Sequence, residues 1–296
     1  MDFLAELKIR AGIIDEALER FLPSAREYPP VIHEAMRYSV FAGGKRLRPV
    51  LTMAAAEAAG GEPARVLPAA CAIELIHTYS LIHDDLPAMD NDDFRRGKPT
   101  SHRVYGEAIA ILTGDALLTL AFELMTRNAR DDLADPARVL RVIAEIAHAA
   151  GTAGMIGGQV ADLLFADREI EPATLEYIHR HKTGALYRAA VRSGAILAGA
   201  DEETLCSLTA YAEFLGLAFQ IKDDILDVEG DQAKLGKPVG SDQRNQKATY
   251  PGLFGMEKAK ARAGEAITAA IRALKDFDHK ADFLRALANF VIGRDF

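Results

Sequence analysis

Two short runs concentrate carboxylates where apolar stretches end. In LIHDDLPAMDNDDFRRG (81–97), Asp84, Asp85, Asp90, Asp92 and Asp93 follow residues that read as buried helix, and Arg95 and Arg96 stand beside them. In FQIKDDILDVEGD (219–231) the device recurs with Asp223, Asp224 and Asp227. Asp223 and Asp227 are four residues apart, about 40° on one helix face, a spacing at which like charges repel. Asp84 and Asp90 are six apart, about 120° on an ideal helix. Pro87 bends or ends the helix between them, which lets Asp90 swing back. One such cluster reads equally well as a solvated acidic helix end. Two are harder to explain that way, because acidic residues oppose the macrodipole at a helix C-terminus. A hard divalent cation relieves the repulsion, and Mg²⁺ is commonly held by one or two carboxylates plus substrate phosphates. The loop glycine and terminal Glu spacing of an EF-hand are missing.

Basic residues balance the acids. GGKRLRP (43–49) places Lys45, Arg46 and Arg48 after two glycines and before a helical run. Glycine permits close backbone approach, and arginine offers a fork suited to phosphate. It is not a P-loop, since no Ser or Thr follows the lysine. Arg95 and Arg96, Lys182 and Thr183 of HRHKTGALYR, and Lys237 and Lys247 extend the inventory. His77 precedes Asp84 by two helical turns and shares nearly its face. There are more cations than one phosphate cluster needs, which points to two polyphosphate groups, one bound through metal and one directly.

The elements that must position these groups are helical. Leu4, Leu7, Ile9, Ile13, Ile14, Leu18 and Phe21 approximate a helical stripe. Similar runs recur at 49–59, 67–86, 107–127, 137–150, 172–199, 202–228, 255–275 and 280–292, with no alternating strand pattern. Pro172 and Pro251 fit helix starts. The one long polar connection is 229–251. Roughly ten to thirteen helices in one domain, 1–296, are expected.

Bulk properties bound the function. The 296 residues are 49% hydrophobic and 26% charged, with net charge −8, which disfavours nucleic-acid binding through overall charge. Cys71 and Cys206 form no disulfide framework and suit a reducing compartment. The N-terminus lacks a signal peptide's basic start and unbroken apolar core. The most apolar segment, 108–125, carries Asp115 at its centre, so a buried or subunit-contact helix is expected rather than stable membrane insertion. A cytoplasmic setting is the default expectation.

In order along the chain, GGKRLRP, ELIHTYSLIHDDLPAMDNDDFRRGKPT, GGQVADL, HKTGALY, FQIKDDILD and GKPVGSD…KATYP resemble the trans-isoprenyl diphosphate synthases, particularly bacterial short-chain farnesyl and geranylgeranyl diphosphate synthases. Each motif is modest alone; the ordered set is specific and spans nearly the whole chain. The resemblance implies an all-α bundle around a deep cavity, usually a homodimer. It implies Mg²⁺, three ions per site with substrate bound, with Mn²⁺ as an alternative. Asp84, Asp90 and Asp223 would be the leading metal ligands, with Asp85, Asp224 and Asp227 as additional members. Arg95, Lys182 and Lys237 would hold an allylic diphosphate, and Lys45, Arg48, His77 and Arg96 isopentenyl diphosphate. Thr183 and Gln220 would face the reacting carbons. In such enzymes the allylic C–O bond ionises, the isopentenyl double bond attacks the cation, and a proton is lost.

In the same family, bulky side chains just before the first Asp motif limit elongation. Here Tyr79 and Ser80 stand five and four residues before Asp84. One aromatic there resembles bacterial farnesyl synthases, although Tyr79 sits about 140° round the helix from Asp84 and an ordinary core tyrosine is the alternative. A farnesyl product is expected, with geranylgeranyl as its rival. QRNQKATYP lacks the Gly often found before the Lys, and the tail ANFVIGRDF keeps only Arg294 near its end, so no lid-like contact with substrate is expected from it. A class I terpene cyclase has no second diphosphate to bind, a non-catalytic subunit tends to lose one Asp cluster, and a metal buffer gives the cations no purpose.

Overall fold

The computed structural model describes residues 2–166, 168, 170–229 and 248–294. Its helices are α1 (Phe3–Phe21), α2 (Pro30–Val40), α3 (Leu47–Ala58), α4 (Leu67–Asp84), α5 (Ser101–Tyr105), α6 (Glu107–Arg130) and α7 (Pro136–Ala150). They continue as α8 (Met155–Leu164), α9 (Pro172–Ile178), α10 (Ala185–Ala198), α11 (Glu202–Glu229), α12 (Tyr250–Phe254), α13 (Met256–Ala273) and α14 (Asp282–Gly293). The expected all-α architecture is therefore present, and its helix starts follow local chemistry. The Asp2 carboxylate accepts from Ala5 N at α1, and Asp135 from Ala137 N ahead of Pro136 at α7. Pro172 and Pro251 occupy first turns, as expected.

Two expectations need correction. The run 172–199 is not one helix: between α9 and α10, His179–Gly184 forms a π-helical segment, a widened turn of the kind found at functional sites. Phe94–Arg95 and Lys98–Pro99 pair as a two-residue antiparallel ladder, too short to show as an alternating pattern. Most of the long connection, 230–247, lies outside the described residues.

Helix α4 is buried almost all round, from Pro68 to Ile82, as a helix apolar on every face must be. It packs against α6, α3, α1, α10 and α2. Helix α10 joins α3, α7 and α11. A second, smaller core of Leu175, Ile221, Ile225, Tyr250, Ala259 and Ala263 ties α11 to α9, α12 and α13. Four helical stretches are long and apolar enough to cross a membrane by length and composition, and each contributes residues to the bundle's core. These contacts bring the C-terminal halves of α4 and α11, the start of α3 and the π-helical segment into one neighbourhood.

Candidate active site

The first acidic station forms where α4 stops. Past Asp84 the chain turns at Pro87, and Asp90 N donates back to the Asp84 carbonyl at 2.8 Å. Asn91, with φ 54°, completes the return. Asp84 and Asp90 are thus adjacent and both half-buried, as the proline argument requires. Asp85 is different. It is buried, and Arg95 Nε reaches its two oxygens at 2.7 and 3.0 Å. Burial pushes the Asp85 carboxyl up against the pull of Arg95. Arg95 also lies 3.5 Å from Asp92. Asp85, expected with the metal-facing carboxylates, and Arg95, expected on a diphosphate, are here turned to each other.

The second station splits in the same way. Consecutive residues on a helix point about 100° apart, so Asp223 and Asp224 cannot share a direction. Asp223 faces Arg294, which donates to it and to the Phe219 carbonyl, with its guanidinium 4.0 Å from the Phe219 ring centre. Arg294 is itself buried. The tail therefore does reach the site, through an ion pair with Asp223. Asp224 points away into protein. It accepts from Tyr250 N at 2.9 Å and Gln220 Nε2 at 3.1 Å, and His179 Nε2 lies 3.5 Å off. Asp224, expected as a metal ligand, is buried among protein donors instead, as neighbouring positions on one helix dictate. Asp227 is buried one turn beyond Asp223.

The GGKRLRP loop sorts its cations by direction. Arg46 takes the left-handed conformation, φ 52°, and turns into the core. It donates to Asp15 and Glu74, both at 2.8 Å, and to the Val40 carbonyl at 2.7 Å. Lys45 and Arg48 turn the other way. The Arg48 guanidinium lies 4.7 Å from the Tyr187 ring centre, and its Nε finds no hydrogen-bond partner among the described residues. Arg96 donates to the Gly43 carbonyl, and its guanidinium fills the space a Cβ on Gly44 would need, with Nη1 only 2.7 Å away. A side chain at 44 would expel it.

Electrostatics bind these groups together. Burial, aided by the charge of Arg294 and opposed by Asp223, pulls Lys45 down to about 8. Burial, then Arg48, Arg96 and Arg95, push His77 well below its ordinary value, so it is a neutral imidazole among cations. Arg48, Arg294 and Asp223 all act on the Tyr187 hydroxyl, so the basic loop and the second station meet around that residue.

The π-helical segment carries Lys182 and Thr183 and lies directly on α8. A Cβ on Gly158 would come within 2.1 Å of Lys182 N, so glycine is required for this approach. Lys182 Nζ donates to Asp162 at 2.6 Å, and the Thr183 hydroxyl to Gln220 Oε1 at 2.8 Å. Ser80 spends its hydroxyl on the His77 carbonyl at 2.9 Å. Tyr79 is buried edge-on to His83, and its hydroxyl finds no partner among the described residues. Lys237 and Lys247 lie outside the described residues.

Three residues go unassigned in a reading of the sequence alone: Arg294, Asp162 and Gln159. Asp162 and Gln159 belong to GGQVADL, whose position in the ordered motifs was the available signal. Both amide atoms of Gln159 are buried without partners among the described residues. Arg294 gives no local signal, since its partner Asp223 is 71 positions away.

Among the described residues, no three carboxylates, imidazoles or thiols converge to cage an ion by themselves. The arrangement offers hard oxygen donors on two helix ends and a cluster of cations beside them. Such a site can take an anion of high charge and stabilise charge that develops on it.

Residues 29–290 match the polyprenyl synthetase family. A farnesyl diphosphate synthase of Geobacillus stearothermophilus is 51% identical over 95% of this chain and 94% of its own length. A geranylgeranyl diphosphate synthase of Cyanophora paradoxa is 48% identical over 99% and 97%. The solved structure of geranylgeranyl pyrophosphate synthetase from Pyrococcus horikoshii superposes with a TM-score of 0.88 at 35% identity, covering 99% of this chain and 98% of that one.

Proposed function

The chain belongs to the polyprenyl synthetase family and is a short-chain prenyltransferase, and from that premise we propose that it condenses isopentenyl diphosphate with dimethylallyl and geranyl diphosphates to give farnesyl diphosphate. The observation that carries the two-substrate reading is the nest of Lys45, Arg48, Arg96 and neutral His77 beside, not within, the acidic stations. Cations this crowded lower one another's stability unless an anion joins them. A diphosphate seated there lies next to one held at the acidic stations, which converts a bimolecular encounter into a proximity-driven one.

Asp84, Asp90, Asp223 and Asp227 are the residues we assign to Mg²⁺, three ions with substrate bound, and Mn²⁺ is the alternative ion. The donor set fits: these four ligands are all carboxylates, and among the described residues no closed protein cage forms, which suits an ion that keeps waters and takes phosphate oxygens. These carboxylates would hold Mg²⁺ where it would supply positive charge to the departing diphosphate. Lys182 and, from its family position, Lys237 add fixed positive charge to the same leaving group, while Asp85 holds Arg95 in place beside it. Thr183 and Gln220 face the allylic carbons, and the departing diphosphate takes the proton.

Tyr79 supports the farnesyl length. Its ring is 6% exposed, on the helix that ends in Asp84, where it would stop a growing chain. The relatives' names are split between farnesyl and geranylgeranyl products, so geranylgeranyl is the competing outcome. Exposed apolar residues on α6 and α8, among them Ile111, Leu112, Ile156, Val160 and Leu163, support a homodimer, and the reading includes a cytoplasmic setting.

The test is direct. Purified protein with Mg²⁺, isopentenyl diphosphate and either allylic diphosphate should yield, after dephosphorylation, a fifteen-carbon alcohol by chromatography. A twenty-carbon product would reassign the length. A cyclic product from one substrate would indicate a cyclase, and turnover only with an added protein would indicate a subunit.

A further inference from the structure

Asp224 lies within the second acidic station, yet its surroundings give it a different task. It is 2% exposed. One oxygen, Oδ2, accepts from Tyr250 N at 2.9 Å; the other, Oδ1, accepts from Gln220 Nε2 at 3.1 Å. Gln220 Oε1 in turn accepts the Thr183 hydroxyl at 2.8 Å. The three side chains form a line from the buried end of the station to the π-helical segment.

Each link has a fixed polarity. An ionised carboxylate can only accept. Gln220 must therefore offer its amide nitrogen to Asp224, and its oxygen is left for Thr183. A hydroxyl has one hydrogen, so Thr183 spends it on Gln220. Only lone pairs then remain for whatever lies in front of Thr183. Without Asp224, the Gln220 amide could sit either way round, and the hydroxyl with it. Tyr250 N–H pins the far oxygen of the carboxylate and keeps it from turning.

Resting on the prenyl-transfer reading, we propose that Asp224 is a positioning residue that sets the polarity of the Gln220–Thr183 pair, so that Thr183 presents oxygen lone pairs rather than a hydrogen to the reacting carbons. The negative end of a fixed dipole stabilises an allylic cation, and the positive end opposes it.

Asp224→Asn tests this without changing shape. Tyr250 N–H still needs an oxygen, so the new amide nitrogen faces Gln220. Gln220 then turns over, Thr183 must accept, and its hydrogen points at the substrate. The expected result is kcat lowered about tenfold or more, with KM for both diphosphates and the half-saturating Mg²⁺ concentration within about twofold of wild type. A double-mutant cycle supplies a sign that general loosening would not produce. Thr183→Val should lower kcat in the wild type but leave it unchanged or raise it in the Asp224→Asn background. A rise of about tenfold in half-saturating Mg²⁺, with kcat restored at high metal, would make Asp224 a ligand and overturn the proposal. Equal losses from Thr183→Val in both backgrounds, or an unchanged kcat in Asp224→Asn, would overturn it too. Should Asp224→Asn not fold, Gln220→Leu cuts the relay one link later. Thr183→Val must then cost much less in that background than in wild type, and a full cost there refutes the relay. Wild-type turnover of the two diphosphates is the control: its absence would remove the prenyl-transfer reading itself, whatever the variants do.

Discussion

Arg46 donates to Glu74 at 2.8 Å with both side chains only 3% exposed. Glu74 stands on α4, three residues before His77, so this pair fastens the GGKRLRP loop to the helix that carries the first acidic station. Removing one partner leaves the other charge buried and uncompensated, which costs about 3–5 kcal/mol. Glu74→Ala should therefore lower the denaturation midpoint sharply. At temperatures where it remains folded, KM for isopentenyl diphosphate should rise more than kcat falls, since Lys45 and Arg48 flank Arg46. Calorimetry and steady-state kinetics check the two parts separately.

Lys45 gives a pH signature. Burial and Arg294 bring its pKa down to about 8. A lysine lowered in this way is charged below that value and neutral above it. KM for isopentenyl diphosphate should accordingly be flat on the acid side and climb as pH passes through about 8. Lys45→Arg, which stays charged, should flatten the climb. A profile identical in the two proteins would detach the effect from Lys45.

Tyr79 controls length if its buried ring is the floor. Tyr79→Ala removes the ring and should shift products from fifteen carbons to twenty or more in the chromatographic assay. The same change empties core volume and costs about 3 kcal/mol or more, so the assay belongs well below the melting point. Unchanged products would make Tyr79 an ordinary core residue.

Metal should matter to turnover and not to folding. With no three candidate ligands converging among the described residues, the fold gains little from an ion before substrate arrives. EDTA should abolish activity, reversibly on adding Mg²⁺, while the thermal midpoint moves by no more than about 1 °C. A large fall in the midpoint would identify a structural metal.

The order of short motifs along the chain is enough to identify the family and its reaction class, because the chemistry needs oxygen donors and cations in kinds that sequence displays directly. Helix periodicity and Pro87 likewise foretell that α4 ends before Pro87 and that Asp90 folds back, since both depend on neighbours a few residues away. Direction is another matter. Lys45, Arg46 and Arg48 look alike on paper, yet a left-handed backbone at 46 sends one to Glu74, while Arg48 lies against Tyr187. Asp223 and Asp224 are chemically identical, yet one faces Arg294 and the other Tyr250 and Gln220. Gln220 is one turn from Asp224, but Arg294 and Tyr250 lie 71 and 26 positions from their carboxylates along the chain, so the choice is made by helix packing, and no local pattern records it.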